Sequence, residues 1–266
     1  MKRQHCSSLM LESDPYAENP NRAWRKRVRK EIVKSVNPSS LFIEDDRKLR
    51  VVCISDTHGK HNKIDLPEGD ILIHAGDFTG TGTRKQVECF NEWLEEIKDD
   101  FKHIIVIAGN HEKGLDPETN VSEHFKGKDL VTNCTFLEHE EVNIEGYKFF
   151  GSPYTPKFYD WAFMQDRVDI IHKWNEIPTD VDILITHGPP IGYLDLAGFK
   201  LNERTGCVNL LNVVKSIKPK FHVFGHIHES YGIMTNDSTV FINASICNIL
   251  YQPLNKPIVF DLPLRM

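Results

Sequence analysis

Residues 50–59 read RVVCISDTHG, a short apolar run that stops abruptly at a carboxylate and an imidazole. The run is rich in β-branched residues and continuous rather than alternating, which is the signature of a strand buried on both faces. The same design recurs at 70–77 (DILIHAGD), 103–112 (HIIVIAGNHE), 181–188 (VDILITHG) and 221–228 (FHVFGHIH). Further apolar runs at 147–150, 239–242 and 258–260 lack the polar ending. Between them, residues 85–98 place Val87, Phe90, Leu94 and Ile97 at helical spacing, and 209–217 do the same with Leu210, Val213, Val214 and Ile217. Strands alternating with amphipathic helices predict an α/β fold, and their number predicts two packed sheets flanked by helices.

The polar endings are Asp56-Thr57-His58, Gly76-Asp77, Gly109-Asn110-His111-Glu112, His187-Gly188 and Gly225-His226-Ile227-His228. In open α/β sheets ligands bind beyond the carboxyl ends of strands, so these loops can converge although they are distant in sequence. Carboxylate oxygen mixed with imidazole nitrogen suits Mn²⁺, Fe²⁺ or Zn²⁺, whereas an all-oxygen set suits Mg²⁺ or Ca²⁺. Two Asp, one Asn and up to five His exceed the needs of one tetrahedral site and match two neighbouring ions sharing a carboxylate. Ions ~3.5–4 Å apart can hold a hydroxide and clamp the oxygens of an in-line displacement at phosphorus. Two carboxylates against two dications leave a positive centre that attracts a phosphate. Asp-x-His or Gly-Asp alone would signify nothing. All five in order, each behind a buried-strand signal, point to a metal-dependent phosphoesterase.

The chain has 266 residues, enough for one large domain or two small ones. We expect residues 1–48 to form an N-terminal extension, partly helical or flexible, and 49–266 the main domain. Hydrophobic residues at 40% and charged residues at 26% are ordinary for a soluble globular protein. A net charge of −6 gives no strong nucleic-acid signal. Cys6, Cys53, Cys89, Cys134, Cys207 and Cys247 are scattered without a C-x-x-C pair, which favours reduced thiols over a zinc ribbon or disulfide framework. No signal-peptide stretch and no run near ~20 apolar residues is visible. The expectation is a cytoplasmic protein without a membrane span, with the oligomeric state open. Residues 22–30 are strongly basic, and Trp24, Val28, Ile32 and Val33 fall on one helical face. That face is either a contact for an acidic partner or membrane surface or, the favoured reading, a solvated helix packing its Trp on the domain.

The order D-x-H, GD, GNH, H, GHxH over about residues 49–262 resembles the calcineurin-like metallophosphoesterase superfamily. The wording CISDTHG, HAGDFTGTG, AGNHE, GSPYTP, THGPP and FGHIHESYG is similar to its metallophosphoesterase-domain-containing branch among the class III cyclic nucleotide phosphodiesterases. The resemblance implies a β-sandwich of two mixed sheets flanked by helices and two metal ions (Mn²⁺, Fe²⁺/Fe³⁺ or Zn²⁺). Carried over by position, Asp56, His58 and His228 bind the first ion, Asn110, His187 and His226 the second, and Asp77 bridges. His111 becomes the proton donor to the leaving oxygen. The implied substrate is a small phosphodiester such as a cyclic nucleotide. Some vertebrate members carry glycine at the last motif position and bind nucleotide more than they turn it over; His228 here implies an active enzyme. Phosphoprotein phosphatases of the superfamily follow their GD with an Arg-bearing segment that grips a phosphate bidentately. Here Phe78-Thr79-Gly80-Thr81 follows, which shifts the expectation towards small diesters. A phosphomonoesterase, a nuclease and a slow nucleotide-binding regulator or scaffold stay open as alternatives.

Other residues carry weaker expectations. Asn110 and His111 are candidates to touch substrate. Arg204 and Cys207 either line a substrate loop or form a helix entry. Tyr154 and Trp161 either stack on a base or pack, and Glu112 is expected to orient a ligand histidine. His61, His74, His103, His124, His139, His172 and His222 match no motif and read as core or surface histidines.

Overall fold

The computed structural model describes residues 9–45, 47–198 and 203–265; Cys6 lies outside them. Two mixed sheets form the architecture. The first has five strands in the order Ile258–Pro263, Lys48–Ile54, Ile71–Ala75, His103–Ile107, Thr135–Leu137. The second has seven: Lys34–Ser35, Gly232–Thr235, Val240–Asn243, Phe221–Phe224, Ile183–Thr186, Tyr147–Ser152, Glu140–Ile144. The strands that end in polar motifs are parallel to their motif-bearing neighbours. Val51 pairs with Ile71 and Ile71 with His103 in one sheet, and Ile183 pairs with Phe221 in the other. Their carboxyl ends therefore share one edge of the sandwich. A parallel bridge from Ser55 to Ser245 ties the two sheets together there.

Continuous apolar runs are explained by three apolar layers. Val51 and Cys53 face Ile183, Ile185 and Val223 in the core between the sheets. Val52 and Ile54 point the other way, under Val87, Phe90 and Leu94 of helix Arg84–Ile97. On the far side, Leu184 and Phe224 lie beneath helix Val208–Ile217. Each strand thus has no polar face to alternate with.

Both predicted helices and all eight predicted strands are present within about three residues. The strands at Lys34–Ser35, Thr135–Leu137, Glu140–Ile144 and Gly232–Thr235 escaped the sequence reading. Three of them lie at a sheet margin and Gly232–Thr235 next to one, where the pattern is short or half-polar. The N-terminal helix is shorter than the expected face required. It runs Pro20–Arg27, capped by the Asn19 side chain, and gives way to a 3₁₀ turn at Val28–Lys30. Trp24 is buried, whereas Val28, Ile32 and Val33 are exposed. Among the described residues, no helix is long and apolar enough to cross a membrane.

Candidate metal centre

The strand ends deliver their donors through strained backbone. Asp56, His58, Asp77 and His226 all lie in the left-handed region, with φ of 53°, 45°, 55° and 68°. Such conformations cost roughly 1–3 kcal/mol each and persist where the surroundings hold them, often at functional sites. Two glycines make room for the carboxylates. A Cβ on Gly225 would stand 1.9 Å from Asp56 Oδ2, and one on Gly109 would stand 2.4 Å from Asp77 Oδ1.

Three overlapping groups of candidate metal donors result: Asp56, His58 and His228; His58, Asp77 and His111; Asp77, His187 and His226. Within each, one ligand atom per residue lies within 4.8 Å of the others. Asn110 joins the third group, with Oδ1 2.9 Å from His187 Nε2. All seven residues expected to bind metal therefore converge, and Asp77 belongs to both groups containing His111 or His187.

The histidines are oriented by backbone carbonyls. Nδ1 of His58 meets Thr79 O (3.2 Å), His111 meets Gly80 O (2.7 Å), His187 meets Ala75 O (2.9 Å) and His228 meets Asn248 O (3.0 Å). A carbonyl only accepts, so each Nδ1 carries a proton, and wherever the ring holds no second proton a bare Nε2 faces the centre. There, His58 Nε2 faces His228 Nε2 at 3.2 Å, and His187 Nε2 faces Asp77 Oδ2 at 3.3 Å. Acceptors facing acceptors need positive charge between them. The acid–base balance shows the same demand. Burial pushes His187 down, but the Asp77 carboxylate outweighs it and lifts the ring to about 9. His228 is also raised, burial being outweighed by its hydrogen bond to Asp56. Burial opposes ionisation of Asp56 and Asp77, yet the surrounding histidines hold both below the ordinary carboxylate range. Burial keeps His58 (about 4) and His226 (about 3) neutral and ready to coordinate. This donor set fits divalent cations.

The carboxylates are fixed too. Asp56 accepts from the His226 amide and the Ser245 hydroxyl (2.8 Å), and Asp77 accepts from the His111 amide (2.8 Å). Glu112 does not orient a histidine as expected. Its buried carboxylate accepts from the amides of Asp77 (2.9 Å), Thr79 (2.8 Å) and Gly109 (2.7 Å) and from the Thr79 hydroxyl (2.8 Å). It thereby clamps the Asp77 loop to the Asn110–His111 loop. Burial and the Asp77 charge push it up to about 7, against the pull of these donors. His74 and His222 are core histidines as expected, each bonded through Nε2 to a threonine adjoining a ligand, Thr57 (3.0 Å) and Thr186 (2.8 Å).

Above the donors lies a cleft of about 240 Å³ lined by Asp77, Asn110, His111, His226 and His228, with Phe158, Trp161, Glu229, Ile249 and Tyr251 around it. A larger cavity, about 580 Å³, runs beside residues 63–67 and 253–259 and shares no lining residue with the donor cluster. The His111 ring stacks on Trp161 (centroids 4.4 Å, planes 25° apart), and the Lys113 ammonium lies 4.0 Å from the Trp161 ring centre. Tyr251 stands edge-on to His58 at 4.7 Å. Tyr154 instead packs edge-on to His139 and Phe163.

Arg204 and Cys207 do not line the cleft. Arg204 pairs with buried Asp195 and lies over Trp24, 4.5 Å from its ring centre. Cys207 is buried and caps helix Val208–Ile217, accepting from the Leu210 amide (3.4 Å) and the Trp174 indole (3.3 Å). The helix-entry reading describes Cys207, whereas Arg204 belongs to the short strand Glu203–Arg204 paired with Leu196–Ala197. The sequence reading missed Phe158, Ile249, Tyr251, Ser245 and Asn248, which sit in no polar strand-end motif.

The profile of the calcineurin-like phosphoesterase family matches residues 49–230. The human protein named metallophosphoesterase domain-containing protein 1 is 43% identical over 292 residues, covering 98% of this chain and 88% of its own length. A probable glycerophosphodiester phosphodiesterase of Arcobacter nitrofigilis is 23% identical, over 77% of this chain and 81% of its own. Among solved structures, the phosphopantetheinyl hydrolase of Mycobacterium tuberculosis shares the fold at a TM-score of 0.53 and 16% identity, covering 82% of this chain and 97% of its own. With the donors of five strand ends gathered on one edge of a two-sheet sandwich, the chain belongs to the calcineurin-like phosphoesterase family.

Proposed function

We propose that the protein is a two-metal phosphodiesterase acting on small phosphodiesters of the cyclic-nucleotide kind. The observation that carries this reading is the pair of donor groups, Asp56/His58/His228 and Asp77/His187/His226, whose acceptor atoms face one another with Asp77 beside both. In this reading Asn110 completes the second set and Asp77 bridges. Divalent ions bound there (Mn²⁺, Fe²⁺/Fe³⁺ or Zn²⁺) would supply Lewis acidity towards phosphoryl oxygens and a nucleophile at neutral pH.

The chain's own groups set the rest. His111 has its Nδ1 proton committed to Gly80 O, so a second proton carried on Nε2, 3.8 Å from Asp77 Oδ2, is the one free to pass to a departing oxygen, leaving the neutral Nδ1–H ring. Asn110 and His111 both line the cleft and are the proposed substrate contacts. Phe78-Thr79-Gly80-Thr81 offers no guanidinium to grip a monoester dianion, which favours the singly charged diester. The name of the Arcobacter relative points to the same ester class. The five described cysteines are all free, which suits a cytoplasmic setting.

The test is a substrate panel on protein stripped by chelator and reloaded with Mn²⁺, Fe²⁺, Zn²⁺ or Mg²⁺. It compares cyclic AMP, cyclic GMP, an aryl diester, the matching monoester and single-stranded DNA. Turnover should vanish on stripping, return with Mn²⁺ and favour the small diesters. Full-rate turnover by stripped protein overturns the metal reading, and preference for the monoester or DNA overturns the substrate class.

A further inference from the structure

Residues 22–34 read RAWRKRVRKEIVK, with seven Lys or Arg and one Glu in a chain whose net charge is −6. The structure separates this stretch into an anchor and a surface. Ala23 and Trp24 are buried in the apolar layer beneath helix Val208–Ile217, with Trp24 edge-on to Tyr193. Arg27 pairs with Asp14, and Lys34 with Asp237. Glu31, the one carboxylate of the stretch, is drawn away to Lys215 at 2.8 Å. That leaves Arg22, Arg25, Lys26, Arg29 and Lys30 exposed, and among the described residues no carboxylate pairs with them. Arg22 and Lys26 lie over the Tyr16 ring, at 5.0 and 5.1 Å. Interleaved with these cations, Val28, Ile32 and Val33 are 43%, 47% and 37% exposed.

We propose that this surface docks the protein on an anionic phospholipid bilayer. Five unpaired cations match acidic headgroups, each worth about fivefold in partition near such a surface. Three exposed aliphatic side chains among them find an apolar sink in the headgroup–acyl boundary. A nucleic acid would satisfy the cations but leave the aliphatics in water. Its recognition also favours exposed aromatic stacking platforms, and the stretch's only aromatic, Trp24, is buried. The buried Trp24 holds the surface rigidly to the domain, so docking needs no prior folding of the segment.

The experiment is sedimentation of the full chain with phosphatidylcholine vesicles made with and without phosphatidylserine, at low and high salt. Binding should require phosphatidylserine and weaken with salt. The R25E/R29E/K30E variant should lose about tenfold or more of its partition. The V28S/I32S/V33S variant should lose about tenfold while keeping the salt dependence. All substituted side chains are exposed, so the thermal midpoint and turnover of a soluble diester should match the parent. Equal binding to both vesicle types, or undiminished binding by either variant, overturns the proposal. Absence of vesicle binding with capture of RNA or duplex DNA by the parent and the V28S/I32S/V33S variant alike also overturns it and assigns a polyanion instead.

Discussion

The floor of the cleft and its rim are built on opposite physical terms. On the floor, Asp56, Asp77 and His187 are buried, and each donor is aimed by a hydrogen bond to backbone or to a neighbouring side chain. On the rim, Phe158, Ile249 and Tyr251 are exposed apolar side chains. They sit on segments with little regular structure, between Thr155–Pro156 and Met164–Gln165 on one side and after Val240–Asn243 on the other. A floor of this kind is preorganised for charge and tolerates little displacement. A rim of this kind supplies area and shape, which tune what binds more than what happens to it. The difference teaches that reaction class and substrate choice reside in separate parts of one cleft, and it can be broken by substitutions on each side.

The largest effect is expected at Asp77→Asn. The amide keeps an acceptor for the His111 N–H but replaces one carboxylate oxygen near His58 and His187 with a donor and removes a charge. Bound metal measured by elemental analysis should fall, and turnover should drop by about 10³-fold or more, beyond the 10–100-fold typical of outer-sphere changes. Retained metal with near-parent turnover would remove Asp77 from the bridging role. His111→Ala comes next, with kcat lowered by about 10²–10⁴ and metal content unchanged. His111 also belongs to a donor group with His58 and Asp77, so loss of metal in this variant would make it a ligand instead.

Glu112→Gln tests whether the floor is held by its clamp. One end of the carboxylate accepts from Asp77 and Gly109, the other from the Thr79 amide and hydroxyl. A carboxamide must turn an NH₂ against one of these pairs and, although the Thr79 hydroxyl can turn to accept from it, at least one buried amide donor is left unsatisfied. Denaturant unfolding should show a loss of about 3 kcal/mol. An unchanged midpoint would mean the two loops are positioned by packing alone.

The floor was legible in the sequence because its donors end strands, and a strand end announces itself twice, by the apolar run and by the polar residue that stops it. RVVCIS before Asp56 and HIIVIA before Asn110 are read by burial on both faces, a property of each strand alone. Margin strands such as Glu140–Ile144 are half-polar and carry no such signature. The carbonyls of Thr79, Gly80 and Asn248 that orient His58, His111 and His228 are backbone atoms, so no residue type advertises them. By sequence Arg204 could line a substrate loop or form a helix entry; Asp195 and Trp24, nine and 180 positions away, occupy it, and no local pattern announces partners at such separations. Glu112 was noticed, but its partners are amides, which again leave no trace in side-chain identity. Tyr251 was invisible for a related reason: an exposed aromatic in a loop has no periodicity to betray what it faces.

The smallest effect, and the one that most sharpens the contrast, is expected at Phe158→Ala. Phe158 lines the cleft and is largely exposed, its ring touching Tyr159 (centroids 4.5 Å apart) rather than any metal donor. Trp161 would be a poorer probe, because its stack on His111 mixes rim with floor. If the rim holds a base or other flat group of the substrate, removing this ring should raise KM for a cyclic nucleotide by about fivefold, the lower end of what one aromatic platform contributes. The kcat and metal content should stay at parent values, because area lost equally from ground and transition states leaves the chemical step unchanged. A small alkyl diester with no flat group should show no change in KM at all. A fall in kcat on both substrates would show that the rim reaches into the chemistry, and the separation of the two regions would fail at the residue chosen to be its cleanest case.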